Sequence, residues 1–268
     1  MKKVTAAWQQ INRKIDGLWE ISPEEACAPD GKEIEDKGSE GKKKGGRKTK
    51  SHVQTGEMMS HRKFAPDHPA DLFFVLLMGV FLFYLAWILP FNEAPDEKMR
   101  YLVPAYIYRH GTLPAGWDEE VLNKMWGISY AFHPILPYIL GGYLMRIVGI
   151  FNSSEHALLM AARCINVFFG MGFYWYVLKI SRRLFQNQVF RIYFVALLAM
   201  LPQLLYLFVY VNTDGTAVFS SAMLIYGWIF GMEQKWDRKS CTHLAAGVAV
   251  CAMSYFNAYG FALFSVVM

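Results

Sequence analysis

An uncharged run of residues from Leu72 to Phe91 constrains the fold of this chain more than any other feature. The run reads LFFVLLMGVFLFYLAWILPF. As an α-helix rising about 1.5 Å per residue, it would cover the roughly 30 Å hydrocarbon core of a bilayer. A soluble helix rarely needs such a run, because its outer face must meet water. The run therefore predicts a transmembrane helix and places the chain among the α-helical membrane proteins.

The segment before this run, residues 1–70, is predominantly polar. The stretch from Asp30 to Lys63 is rich in Lys, Glu, Gly and Ser and cannot bury enough apolar surface to fold, so we expect it to be disordered. Apolar residues recur at helical spacing between Val4 and Leu18, which fits either a short amphipathic helix on an anionic leaflet or a marginal helix in a flexible tail. The basic run GKKKGGRKTK ahead of a transmembrane helix predicts a cytoplasmic N-terminus. A net charge of +5 placed in this way does not indicate a nucleic-acid partner.

Five further apolar segments follow the first predicted helix. If all of them crossed the membrane, the basic residues of the later loops would lie outside, against the positive-inside rule. If the segment from Tyr130 to Ile150 does not cross, the basic stretches KISRR and EQKWDRK become cytoplasmic. Pro134, Pro137 and the Gly141-Gly142 pair interrupt this segment, which favours a broken helix at the outer surface. We therefore favour five spans over six. The segments are Tyr130 to Ile150, Met160 to Leu178, Ile192 to Val211, Thr216 to Met232 and His243 to Leu263.

In the five-span arrangement, the unusual polar residues gather on the outer side. Asp96 and Glu97 follow the first helix by about one turn, where a carboxylate could act as a general base or could be a solvated loop residue. Asp214 precedes a helix predicted from Thr216 and could either belong to a site or cap that helix. His133 could donate a hydrogen bond to a phosphate, or it could be a satisfied histidine near the interface. The residues alone leave these alternatives open.

Four stretches occur in a recognisable order between Pro95 and Trp228: PDEKMRYLVPAYIYRHGTLP, FHPILPYILGGYLMRIVG, SSEHALLMAARCINVFFGMGFYWYVLKISRRLF and VYVNTDGTAVF. Together they resemble the GT-C superfamily of glycosyltransferases, in particular the protein O-mannosyltransferase and aminoarabinose-transferase-like group. The PDEKMRY stretch resembles the family's Asp-Glu pair after the first helix, followed by a helix that ends in Gly and then Pro. The FHPILPY stretch is similar to the family's juxtamembrane His/Lys-Pro-Pro-Leu segment, with Ile135 in place of the family's other proline.

The resemblance implies transfer of a sugar from a polyprenyl-phosphate-linked donor to a glycan, lipid or protein acceptor. It makes Asp96 the candidate general base or acceptor-orienting carboxylate, with Glu97 beside it. Asp214 would be a second acidic residue in the same cavity, and His133 would lie near the lipid phosphate. Arg163 would pair with a carboxylate or a phosphate. Members of this superfamily differ in metal use, and oxygen ligands such as Asp214 would suit a divalent cation, Mg²⁺ or Mn²⁺.

We therefore expect an all-α, polytopic helix bundle with two regions, a cytoplasmic tail (1–70) and a transmembrane domain (71–268). No polar flank closes the last apolar segment, so we expect further helices in a longer protein. We expect an integral membrane protein with a cytoplasmic N-terminus, and we favour a bacterial plasma membrane over the endoplasmic reticulum. The alternatives to an enzyme are a carrier or flippase-like protein for a lipid-linked substrate and a catalytically inactive scaffold. Transporters usually show inverted repeats, and the sequence shows one broken segment and no repeat.

Overall fold

The computed structural model describes residues 69–123, 127–132 and 135–267. Within these ranges the protein is mostly helical and has no β-strand. Residues 1–68 of the predicted tail lie outside the described residues, and with them the possible amphipathic helix and the stretch expected to be disordered. His133 lies outside them as well. The described helices are α1 (Pro69–Ile88), α2 (Glu97–His110), α3 (Leu136–Phe151), α4 (Glu155–Leu184), α5 (Gln188–Ala199), α6 (Pro202–Leu207), α7 (Asp214–Glu233), α8 (Arg238–Ala252) and α9 (Tyr259–Val267), with 3₁₀ turns at Tyr130–Phe132 and Phe256–Ala258.

Three of the described helices, α1, α4 and α7, are long and apolar enough to cross a membrane. On α1, large apolar side chains such as Phe73 and Val80 are 69% exposed. Each would cost free energy in water, at about 25 cal/mol per Å² of apolar surface, and a continuous face of this kind is typical of contact with lipid. The all-α fold is thus confirmed for the described residues, while the number of crossings stays a prediction.

Contacts at both ends of α1 and α4 show how these helices run. Asp71 in the first turn of α1 pairs with Arg182 in the last turn of α4. At the other end, Arg163 of α4 donates hydrogen bonds to the carbonyl oxygens of Ala86 and Leu89, where α1 ends. The two helices are therefore antiparallel. Arg163 and Arg182 lie about 28 Å apart along α4, close to the hydrocarbon thickness of a bilayer.

Helix α7 runs parallel to α4. Arg183 near the end of α4 pairs with Glu233 at the end of α7, with 2.9 Å between Nε and Oε2. At the opposite end, Asn166 of α4 donates to the carbonyl oxygen of Asn212, two residues before α7 begins. We call the end where α1 stops and α7 starts the site end. The opposite end, where α1 starts and α4 and α7 stop, is the basic end.

Helices α2 and α3 connect α1 to α4 and pack against the first turns of α4. Gly142 of α3 lies so close to α2 that an added Cβ would come within 2.6 Å of Ile107 Cβ, so a larger residue would force the two helices apart. Helix α3 has 16 residues, with Pro137 in its first turn, where a missing N–H costs no helical hydrogen bond. A span needs about 20 residues. The short helix agrees with the prediction that this segment does not cross, without testing it.

Two segments predicted as single spans are each divided. Within Ile192 to Val211, the chain is extended at Leu201 (φ −72°, ψ 110°), directly before Pro202. The proline ring disfavours helical backbone at the residue before it, so α5 and α6 are separate helices. Within His243 to Leu263, the chain is extended at Tyr255 (φ −154°, ψ 145°), between α8 and α9. Hydropathy missed both breaks because it records apolar side chains and not backbone direction.

Candidate functional site

A buried ion pair joins the helices at the site end. The side chain of Arg163 is 1% exposed and that of Glu97 is 0% exposed. Arg163 Nε donates to Glu97 Oε1 at 2.8 Å, and its Nη2 donates to Oε2 at 2.7 Å. Two parallel charge-assisted hydrogen bonds of this kind give strength and fix orientation. Of the two partners predicted for Arg163, a carboxylate or a phosphate, the structure places a carboxylate beside it.

The same two side chains also hold the backbone of neighbouring segments. Helix ends leave carbonyl oxygens without intrahelical partners, and Arg163 supplies donors to those at the end of α1. Glu97 accepts hydrogen bonds from backbone N–H groups in two segments, one just after α1 and one just before α7. We call the Glu97–Arg163 pair and its backbone partners the joint. These partners are the carbonyl oxygens of Ala86 (2.7 Å), Leu89 (2.6 Å) and Pro90 (3.2 Å), and the N–H groups of Asn92 and Val211 (each 3.2 Å).

Asp96 precedes Glu97 in the sequence but is exposed to solvent. Its φ of 57° lies in the left-handed region, which Asp tolerates better than most residues. The Tyr130 hydroxyl donates a hydrogen bond to Asp96 Oδ2 at 2.7 Å. Burial and this hydrogen bond raise the pKa of Tyr130 above its ordinary value, so the phenol remains a neutral donor near pH 7. The carboxylate of Asp96 is therefore oriented and still accessible, as a general base must be.

Arg100 links the surroundings of Asp96 to α7. Its Nη1 donates to Asp214 Oδ2 at 2.9 Å, and its guanidinium lies 5.1 Å from the centre of the Tyr130 ring. The structure thus brings Asp96 and Asp214 into one chain of contacts, through Tyr130 and Arg100. The sequence singled out neither Arg100 nor Tyr130 as a site residue. A signal for Arg100 was present, because it is a basic residue in the first turn of the helix that follows the acidic pair.

A network of amide side chains positions Asp214. Asn166 Nδ2 donates to the carbonyl oxygen of Asn212 at 3.1 Å, and Asn212 Oδ1 accepts from the N–H of Gly215 at 2.8 Å. Asn212 thereby satisfies a backbone donor in the first turn of α7, the role that capping residues play. The sequence also allowed Asp214 to fill that role. Its carboxylate pairs with Arg100 instead.

Near the Arg100–Asp214 pair, two buried polar groups among the described residues lack hydrogen-bond partners. The Tyr138 hydroxyl and Arg100 Nε are buried and have no hydrogen-bond partner among the described residues. Burial raises the pKa of Tyr138, so its hydroxyl stays protonated. Buried polar groups are normally paired with protein or water. This interior is therefore suited to a ligand hydroxyl or an ordered water.

An apolar groove of about 530 Å³ lies beside α2, bounded by α3 and the first turns of α4. Its walls are mainly aliphatic and aromatic, and a few charged side chains also line it. Lys98, one of these, is two residues from Asp96 in the sequence. The groove is thus adjacent to the segment that carries the site. Its lining residues are Phe91, Lys98, Tyr101, Leu102, Ala105, Tyr108, Arg109, Met145, Glu155, His156, Leu158 and Leu159.

The metal site suggested by the sequence is not seen among the described residues. In that part of the chain, no group of three or more His, Cys, Asp or Glu side chains is arranged to hold a metal ion. Asp214, the candidate metal ligand, is paired with Arg100. His133 lies outside the described residues, so its contact with a lipid phosphate stays a prediction.

No protein-family model, curated protein or solved structure matches this chain. The functional argument is therefore carried by the residues and their geometry.

Proposed function

We propose that this protein is a multi-pass membrane glycosyltransferase that moves a sugar from a polyprenyl-phosphate-linked donor to an acceptor hydroxyl. The observation that carries the proposal is an exposed, oriented carboxylate, Asp96, in one chain of contacts with Tyr130, Arg100 and Asp214 at the site end of three membrane-length helices. The resemblance of the surrounding sequence to GT-C enzymes adds to it.

In the proposed reaction, Asp96 takes the proton of the acceptor hydroxyl as the hydroxyl oxygen attacks the anomeric carbon of the sugar. The bond between that carbon and the phosphate oxygen breaks, and the polyprenyl phosphate leaves with the electron pair. Arg100 lies 5.1 Å from the ring of Tyr130, which donates to Asp96, and its positive charge would favour the departing phosphate. The pairing with Asp214 sets the position of Arg100. The joint keeps Asp96 in place, because Glu97, the next residue, is fixed by five hydrogen-bonding groups in all.

The Glu97 carboxylate accepts four hydrogen bonds, two from Arg163 and two from backbone N–H groups. The N–H of Glu97 donates a fifth hydrogen bond to the carbonyl oxygen of Ala94 at 3.3 Å. With its side chain fully buried, Glu97 has no surface to offer a substrate. We therefore propose that Asp96 acts in the chemistry and that Glu97 positions it.

We further propose five crossings with a cytoplasmic N-terminus, which puts α2, α3 and the site on the outer face. The support is the charge asymmetry of the described residues, since Arg182, Arg183, Arg238 and Lys239 all fall at the basic end, next to the start of α1. The positive-inside rule assigns such an end to the cytoplasm. In this arrangement α5 and α6 together return the chain to the site end.

Labelling of single cysteines tests this topology in a background lacking Cys27, Cys164, Cys241 and Cys251. Glu119→Cys and Lys239→Cys place thiols at two exposed positions. We expect an impermeant maleimide to label the first in intact cells and the second only after permeabilisation. Labelling of Lys239→Cys in intact cells would favour six spans, and protection of Glu119→Cys would reverse the orientation.

The chemistry is tested with Asp96→Asn in the full-length protein. Membranes would receive a panel of radiolabelled undecaprenyl-phosphate hexoses and pentoses, and label entering endogenous acceptors would be counted. Loss of a general base costs about 100-fold or more in rate, so we expect transfer to fall by at least that factor. Glu93→Gln, at an exposed carboxylate in the same loop, is the control and should retain wild-type transfer. Wild-type transfer by Asp96→Asn would remove Asp96 from the reaction.

A carrier or flippase-like protein is the second candidate function. The groove beside α2 favours it, because an apolar groove lined by a few charged side chains can hold a lipid-linked substrate without any chemistry. Reconstituted vesicles separate the two functions. Movement of fluorescent undecaprenyl phosphate between leaflets, with no glycosylated product from any donor, would favour the carrier.

A further inference from the structure

A second groove, of about 610 Å³, opens at the basic end between the first turns of α1, the last turns of α4 and α5. Its walls are largely apolar, with Phe74 from α1, Leu178 from α4 and both Val195 and Ala196 from α5. The proposed catalytic residues lie at the opposite end of the same helices. The groove is therefore separate from the proposed catalytic site.

Two arginines stand at the edge of this groove. Arg182 pairs with Asp71, so their charges offset each other. Arg191 Nε donates to the carbonyl oxygen of Phe185 at 2.7 Å, and its Nη2 donates to that of Gln186 at 3.1 Å. Carbonyl oxygens orient the guanidinium without neutralising it. Counting the described residues, the groove thus carries one net positive charge, fixed beside an apolar wall.

The rest of the basic end has the same sign of charge. Among the described residues there, seven side chains are basic and three are acidic. If α1 and α4 cross the membrane, their ends at Asp71 and Arg182 lie where headgroups meet acyl chains. An anion is therefore favoured at this depth. The basic residues are Lys179, Arg182, Arg183, Arg191, Lys235, Arg238 and Lys239, and the acidic ones are Asp71, Glu233 and Asp237.

We propose that this groove binds an anionic phospholipid, with its phosphate at Arg191 and an acyl chain against Phe74, Val195 and Ala196. Basic pockets between membrane helices on the positively charged side bind anionic headgroups, and the apolar wall offers van der Waals contacts to an acyl chain. The inference rests on α1 and α4 crossing the membrane. It does not rest on glycosyl transfer.

Native mass spectrometry of the full-length protein in detergent tests the proposal. Phosphatidylglycerol and phosphatidylcholine with identical acyl chains would be titrated, and we expect the anionic lipid to bind at least about fivefold more tightly. Ala196→Trp places a large side chain in the groove at its apolar wall without changing the charge. It should weaken phosphatidylglycerol binding by at least about fivefold. Leu197→Trp is the matched control, because Leu197 is 68% exposed and outside the groove, and it should bind like wild type.

Charge is tested separately at Arg191. Arg191→Gln should bring the affinity for phosphatidylglycerol close to that for phosphatidylcholine, while Arg191→Lys should keep most of the difference. Unchanged binding by Ala196→Trp would overturn the proposal, as would a lipid preference that survives Arg191→Gln. Competition by glycerophosphoglycerol, which lacks acyl chains, at the same concentrations as the lipid would identify a site for soluble phosphates and also overturn it. Transfer activity is not measured, so failure here leaves the proposed function standing.

Discussion

The two ends of the long helices use the same chemistry, an arginine paired with a carboxylate, in different surroundings. At the site end, the Glu97–Arg163 pair is at most 1% exposed and is also bonded to backbone. At the basic end, the side chains of the Arg183–Glu233 pair are 16% and 33% exposed. Water can replace a lost partner at the basic end but not in the joint. Burial, rather than residue type, therefore decides which pair the fold depends on.

The largest expected effect comes from breaking the joint. Glu97→Gln keeps the shape of the side chain but leaves Arg163 as an uncompensated buried charge, which costs about 3–5 kcal/mol. We expect a correspondingly lower free energy of unfolding, measured by denaturation of the purified protein in detergent. Asp96→Asn, at the adjacent exposed residue, is the control and should change stability by less than about 0.5 kcal/mol. Equal effects of the two substitutions would contradict the contrast between these neighbours.

A smaller effect on stability is expected at the partly buried Arg100–Asp214 pair. Arg100→Gln removes a charged hydrogen bond to Asp214, worth about 1.5–3 kcal/mol, and it removes the cation over the ring of Tyr130, the residue that orients Asp96. Sugar transfer should fall by about 10-fold or more while the protein stays folded. Arg100→Lys keeps the charge and should recover part of that loss. If Lys and Gln behaved alike, the charge at this position would have no part in the reaction.

Tyr130→Phe should have a milder effect. It removes one hydrogen bond to an exposed carboxylate, of about 0.5–1.5 kcal/mol, so transfer should drop by roughly 2- to 10-fold with little change in stability. The measurement is the initial rate of transfer at saturating and limiting donor concentrations. A full loss of activity would give the phenol a role beyond orienting Asp96.

The smallest effect is expected at the basic end. Glu233→Gln breaks the pair with Arg183 but leaves the contacts of Arg183 with Tyr226, and because both side chains of the pair are partly exposed the cost should be about 0–1 kcal/mol. Denaturation under the same conditions as for Glu97→Gln makes the comparison direct. A cost above about 2 kcal/mol would mean that the two ends differ less than their burial indicates.

Much of the helical framework followed from local sequence. Helices α1 and α7 were predicted to within about three residues of their ends, because a long apolar run with polar flanks has few alternatives to a helix. Helix α4 was predicted too short, as Met160 to Leu178, because its two ends carry polar and charged residues. The divisions at Leu201 and Tyr255 were not predicted, because hydropathy averaged over a whole segment hides the Pro202-Gln203 pair at the first break and Ser254 and Asn257 at the second. The common location of Asp96 and Asp214 was expected from the charge pattern of the loops. The residues that connect them, Arg100 and Tyr130, were not identified.

The membrane-length helix α1, its uncharged run, and the charges that separate its two ends are properties of the sequence itself. They depend on hydropathy and sign of charge, which need no distant partner. Tertiary structure alone decided that Glu97 turns inward and Asp96 outward. The reason is that Arg163, 66 positions away, supplies the counter-charge that makes burial of Glu97 tolerable. Whether a carboxylate can be buried depends on which distant groups the fold brings to it.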